Sequence, residues 1–194
     1  TAVKGNYLSA LAMFSAVGIT CLSLEIDIKI ILAGVLLGGL IGSLIAIKVK
    51  MTAIPEMVAL FNGFGGLATF LIAWSQFNEP GNSIYQHILI MLTIYIGGIT
   101  FSGSLIAYGK LSEKLKLGKG SMITNIFISF FYLSMPALIY VVAEPSLSGL
   151  IPQVPSYFSI FLVLTLVAGI GFVMPIGGAD MPVVISLLNS LSGI

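Results

Sequence analysis

The stretch Ile30–Ile47, IILAGVLLGGLIGSLIAI, carries no charge over its whole length and is closed by Lys29 before it and Lys48 after it. It has no polar face to offer to water. A helix crossing a hydrocarbon core about 30 Å thick needs roughly 20 largely apolar residues, and this stretch meets that requirement. Moving outward along the chain, Tyr7–Leu24, Pro55–Ser75, His87–Gly109, Met122–Ala143 and Tyr157–Pro175 meet it too. The composition agrees. With 194 residues, 58% of them hydrophobic and only 8% charged, and a mean hydropathy of +1.12, the chain has too little polar surface to cover a water-soluble globule.

Met181–Ile194 is apolar to its last residue but would reach only about 21 Å as a helix. The expected fold is therefore all-α: a polytopic transmembrane helical bundle of six full spans plus one truncated span. Residues 1–194 form one membrane domain, read as a fragment of a longer protein because the chain stops inside a span and starts at Thr1 rather than Met. The first apolar segment is no signal peptide, since further spans follow and no small-residue cleavage pattern ends it. The single cysteine, Cys21, excludes an internal disulfide and a cysteine cluster for zinc or iron–sulfur.

Charge sets the orientation. Lys4, Lys48, Lys50, Lys110, Lys114, Lys116 and Lys119 all fall at the N-terminus or in the second and fourth loops, on one side, and of the 8 basic residues only Lys29 lies opposite. Positive residues translocate poorly, so the lysine-rich side is the cytoplasmic or equivalent side. Glu25, Asp27, Glu79 and Glu144 occupy the other side, and Glu56, Glu113 and Asp180 share the side of the lysines. The short loops predict antiparallel neighbours in contact, with irregular chain from Glu144 to Ser156 around Pro145, Pro152 and Pro155. Gly34, Gly38 and Gly42 form a small-residue ridge, Gly97 and Gly98 another, and Pro136 is expected to kink its helix.

Polar groups inside a bilayer must be paired or face a wet cavity, which makes each intramembrane Asn, Ser or Thr a candidate. Asn62 shares a helix face with Gly65, Gly66 and Thr69; Ser104 shares one with Gly97, Thr100 and Tyr108; Asn189 shares one with Pro182, Ser186 and Gly193. Counted from the lysine side at helical rise, Asn62, Ser104 and Asn189 all lie about 9 to 14 Å deep. Such a layer suits a water or proton half-channel, because amides and hydroxyls relay hydrogen bonds without a buried charge. The plainer reading is structural: hydroxyls bonded to their own helix carbonyls and asparagines paired across helices. Asp180 before Pro182, and Glu56 after Pro55, each fit a helix N-terminus, yet both stand on the lysine side at the mouths of the helices that carry the asparagines, where a proton port or a docking contact is expected.

Other signals fall away. Gly63–Ala68, GFGGLA, fits a loose dinucleotide fingerprint but follows no strand and opens no helix. His87, the only histidine, makes neither a metal site nor a triad, and no nucleophile–base pair, phosphate loop or nucleic-acid patch is present. Trp74 and Tyr85 read as interfacial anchors.

The stretch Pro175–Gly193, PIGGADMPVVISLLNSLSG, closely resembles a hallmark of the proton-translocating nicotinamide nucleotide transhydrogenases, in the beta subunit or its fused equivalent. Lys50–Gly63, KMTAIPEMVALFNG, and Thr100–Leu111, TFSGSLIAYGKL, resemble two further segments of that family. The resemblance implies the membrane domain of an enzyme that couples hydride transfer between NAD(H) and NADP(H) to proton movement across a bacterial or mitochondrial-type inner membrane. It also implies that NADP and NAD are bound by soluble domains outside this chain, with no cofactor in the membrane part. The implied partners are membrane lipid, an NADP-binding domain, an alpha subunit with an NAD-binding domain, and a second copy in a dimer of the complete enzyme. By motif, Asn62 takes a channel position that is histidine in some members, Ser104 and Asn189 take channel positions, and Asp180 is the acid at the NADP-domain interface. With asparagine at position 62 no imidazole titrates midway, which favours a water relay there. The competing expectations are a small-solute or ion transporter or channel, marked by broken helices in paired repeats, and a structural membrane anchor of a redox complex.

Overall fold

The computed structural model describes residues 2–23, 27–77, 83–115, 122, 125–126, 128–129, 133 and 154–193. Its ordered elements are helices: α1 (Ala2–Ser23), α2 (Ile28–Lys48), α3 (Ile54–Phe77), α4 (Ile84–Leu111), α5 (Val154–Val173) and α6 (Met181–Ser192), with short 3₁₀ turns at Met51–Ala53 and Gly178–Asp180. No strand occurs among the described residues. Among the described residues four helices are long and apolar enough to cross a membrane, or five spans if α5 and α6, bent by 108° at their junction, count as one. The expected span Met122–Ala143, with Pro136, lies outside the described residues apart from a few isolated positions.

The chain divides into two compact units, Thr1–Val49 and Lys50–Ile194. In the first, α1 and α2 bury none of their described side chains. Asp27 caps α2, its Oδ1 accepting from the Lys29 backbone N–H at 2.9 Å. Within this unit the ridge of Gly34, Gly38 and Gly42 meets nothing: a Cβ added to any of them would find open space.

In the second unit, α4 is the central element, packed against α3, α5 and α6. It starts with a capping box, Ser83 Oγ accepting from Gln86 N and Gln86 Oε1 accepting from Ser83 N, which satisfies two donors that the helix start leaves free. Glycine sets how closely the helices approach. A Cβ on Gly66 would lie 2.8 Å from the Phe101 backbone nitrogen, and one on Gly97 2.8 Å from that of Phe70. Residue 66 therefore meets 100–101 and residue 70 meets 97, so α3 and α4 run antiparallel. On its opposite flank Gly98 faces Thr165 and Gly169 faces Ile99 and Ser102, an in-step pairing that makes α4 and α5 parallel. The core between them is apolar, with Ile94, Tyr95, Ile99, Phe161 and Ala168 buried and the Tyr95 and Phe161 rings stacked at 6.5 Å.

Two expectations need correction. The stretch to Ser156 is not irregular throughout, because α5 already starts at Val154; Pro155 fits in the first turn, where a missing N–H costs nothing. The expected face of Asn62, Gly65, Gly66 and Thr69 is divided: Asn62 and Gly66 meet α4 beside the buried Ala59, Gly63, Phe70 and Ala73, whereas Gly65 meets no neighbour and Thr69 Oγ1 donates back to the Gly65 carbonyl at 3.1 Å.

The junction of α5 and α6 follows from its residues. Pro175 has no N–H to continue α5, and Gly177 and Gly178 let the chain turn before Pro182 opens α6. Helix α6 then returns along α4: Gly178 sits beside the Lys110 carbonyl and Leu188 beside Thr100 and Gly103. It buries Met181, Val184, Ile185 and Leu188 and leaves Pro182, Ser186, Asn189 and Gly193 exposed.

Candidate functional site

Two of the candidate residues meet directly. Asn62, on α3, donates from Nδ2 to Ser104 Oγ, on α4, at 2.8 Å. Gly63, next to Asn62, makes the approach possible: a Cβ there would stand 3.3 Å from that of Ser104. Ser104 is fully buried and Asn62 partly so. The amide of Asn62 thus spends one of its two N–H groups on Ser104, and its other N–H and its carbonyl oxygen keep further capacity at a partly open position.

One turn along α4, Thr100 is also fully buried, and its Oγ1 donates across to the Leu188 carbonyl of α6 at 3.4 Å, a long bond. Two polar contacts, Asn62 to Ser104 and Thr100 to the Leu188 carbonyl, therefore lie one turn apart along α4 and join it to α3 and α6. No buried side-chain nitrogen or oxygen among the described residues lacks a partner.

Asn189 follows Leu188 at this level, but its side chain is exposed and bonds neither Asn62 nor Ser104. Asp180 occupies the N-cap position of α6 without capping it: its carboxylate makes no hydrogen bond to the helix start and is exposed. The cap bond that its position before Pro182 suggests is thus not made. Glu56 lies in the first turn of α3, partly buried, where the positive end of the helix dipole favours an acid. No trio of His, Cys, Asp and Glu among the described residues could hold a metal ion.

Lys110 is the residue that charge patterning misplaced. Counted as a loop lysine, it instead lies in the last turn of α4, 8% exposed. Its Nζ donates to three backbone carbonyls at the end of α5 and just beyond: Val173 at 3.2 Å, Ile176 at 2.6 Å, and Met174. The sequence signal available was the helical phase of Gly103 and Lys110, seven residues apart on one face. The end of α4 is shaped to allow this. Glu113 takes a left-handed conformation (φ 56°), and the chain folds back so that Leu115 N donates to the Gly109 carbonyl at 2.9 Å. The Leu115 side chain then fills the space that a Cβ on Gly109 would take, 2.5 Å away.

The whole chain, residues 1–194, matches the family model described as NAD(P) transhydrogenase beta subunit. It is similar to two NAD(P) transhydrogenase beta subunits of Rhodospirillum rubrum, each 34% identical over 205 residues, a match covering 100% of this chain and 42% of the relative. The chain thus spans less than half the length of these curated relatives. A run of apolar helices, a glycine-mediated helix core and a match along the entire sequence lead to one assignment: the chain is a membrane protein belonging to the NAD(P) transhydrogenase beta subunit family.

Proposed function

We propose that this chain is proton-conducting membrane domain of a transhydrogenase, working with soluble domains that transfer hydride between NAD(H) and NADP(H). The observation that carries the reading is the 2.8 Å bond between Asn62 and buried Ser104, a neutral pair held between two helices with donor and acceptor capacity left over. Water reaching Asn62 from the lysine side hydrogen-bonds to its free N–H and carbonyl. The Ser104 hydroxyl and Thr100, one turn on, pass the hydrogen-bonded chain deeper, and Asn189 extends it from the exposed face of α6. No member of this relay carries a formal charge, so the protein moves a proton through ordered water rather than storing it on a side chain.

Asp180 and Glu56 are the coupling residues. An uncapped, exposed carboxylate at the start of α6 is free to meet the NADP-binding domain, so that its protonation or contact is felt along the helix that carries Asn189. The partners are that domain, an alpha subunit with its NAD-binding domain and a second copy of the complete enzyme, all in a bacterial or mitochondrial-type inner membrane. NADP and NAD bind on the soluble domains. The finer topology is six full spans and a shorter seventh apolar helix over Met181–Ser192. Support for a span over Met122–Ala143 comes from the parallel course of α4 and α5, which start at the same end of the pair and so need a return crossing between them.

The transporter reading gains one broken helix pair from the junction of α5 and α6, but no second break matches it among the described residues, so the paired repeat it requires is not found. The test is proton pumping by the complete enzyme in vesicles after Asn189→Leu. Pumping is expected to fall while nucleotide binding persists, and unchanged pumping would remove Asn189 from the path.

A further inference from the structure

The junction of α5 and α6 is chemically awkward for a membrane protein. Pro175 ends α5, and the carbonyls of Val173, Met174 and Ile176 have no following helix turn to supply donors beyond the one bond from Ile176 N to Val173 O at 3.2 Å. These carbonyls also form the negative end of the α5 dipole. An ammonium group has three N–H donors and a full positive charge, and Lys110 brings one to these three carbonyls. Among the described residues its partners are these backbone carbonyls, with no carboxylate beside them.

We propose that Lys110 is a positioning residue that fixes the direction of α6, and thereby the places of Asp180 and Asn189, by acting from α4 as the C-terminal cap of α5. Two observations support a role in coupling beyond local packing. Helix α4 carries Ser104, bonded to Asn62, and six residues later Lys110, so the relay and the clamp are mounted on one rigid element. On the far side of the junction the Lys110 carbonyl stands 3.7 Å from where a Gly178 Cβ would be, so the end of α4 touches the chain both before and after the turn. Glycines at 177 and 178 leave the turn only its own short-range bonds, such as Asp180 N to the Gly177 carbonyl at 3.1 Å, and the ammonium ties it to α4 as well. A shift in the Asn62–Ser104 pair is in this way transmitted by α4 to the segment that bears Asp180.

This inference rests on the proton-conducting reading, and the experiment separates the two. In the complete enzyme with its native cysteines, Cys21 among them, replaced by serine, spin labels on Ser112→Cys and Ala179→Cys report the distance from the end of α4 to the turn before α6. Vesicles of the unlabelled variants report protons pumped per hydride transferred. Lys110→Met, with no donor, is expected to shift or broaden the distance and to lower coupled pumping about tenfold, as a small misplacement of a working group does. Lys110→Arg is expected to restore most of both, since it keeps charge and donors. Lys110→Gln, neutral but with two N–H donors, falls between them and guards against a Met variant that does not fold. An unaltered distance in Met and Gln variants overturns the clamp, and an altered distance with native coupling overturns its part in coupling. Asn62→Leu is the control for the underlying reading: normal pumping there sinks the proton path, while the spin-label distances still decide the clamp.

Discussion

At the scale of single residues, the pairing of Asn62 with Ser104 explains why a neutral side chain stands where some relatives of this family are expected to carry histidine. An amide can hold a hydroxyl and a water at once and needs no compensating charge. Asn62→Leu leaves the buried Ser104 hydroxyl without its donor, at a cost of about 1–3 kcal/mol, and removes one member of the proposed relay. Proton pumping by the complete enzyme is expected to drop sharply in that variant. Asn62→His is the more informative change. It introduces a group with an ordinary pKa of about 6.5, charged below that value and neutral above it. Pumping in Asn62→His is therefore expected to acquire a step between about pH 6 and 7 that the native protein lacks, read from a pH profile of initial pumping rates. A profile superimposable on the native one would place position 62 outside the path.

At the scale of elements, α3 shows that neighbouring glycines have opposite meanings. Gly66 presses against the backbone of α4, which cannot give way, so Gly66→Ala must separate the helices and stretch the Asn62–Ser104 bond one turn away. Overpacking of this kind costs about 1–3 kcal/mol. Gly65 faces open space, and Gly65→Ala should raise stability by about 0.5–1 kcal/mol through the better helix propensity of alanine. Thermal unfolding of the two purified variants in detergent is expected to move in opposite directions. Equal shifts would contradict the helix contact described here. Helix α6 is the other instructive element. Met181, Val184, Ile185 and Leu188 are buried while Ser186, Asn189 and Ser190 are exposed, a sharper amphipathic division than α1, α2 or α3 displays.

At the scale of the whole molecule, the lysine distribution makes a topological claim that labelling can check. In a background with the native cysteines, Cys21 among them, replaced by serine, single cysteines replacing Lys50 and Lys114 are expected to react with a membrane-impermeant maleimide from the same side of sealed vesicles, and a cysteine replacing Lys29 from the other. Labelling of all three from one side would overturn the orientation. Lys110 stands apart from this set, because its burial takes it out of the surface charge that the positive-inside tendency concerns.

The sequence by itself determined that the chain is helical and built for lipid, because successive uncharged apolar runs of about 20 residues match the bilayer core as helices, whose backbone bonds are all internal. It also picked out Asn62 and Ser104, since polar groups are conspicuous where almost none occur. Only the tertiary structure decided which face of each helix is in contact. Composition cannot show that, as the faces of α2 and α3 differ little in polarity, and within Gly63–Ala68 only the packed helices separate Gly63 and Gly66, which meet α4, from Gly65, which meets nothing. The turn that sends α6 back along α4, and the use of Lys110 as a buried cap, were likewise beyond sequence reading. Both depend on carbonyls of α5 and an ammonium from α4, more than sixty residues apart, meeting at one point. The segment from Pro175 to Gly193 on which the family resemblance rests thus keeps its importance, with its helix held from outside by a residue that reading along the chain had assigned to a loop.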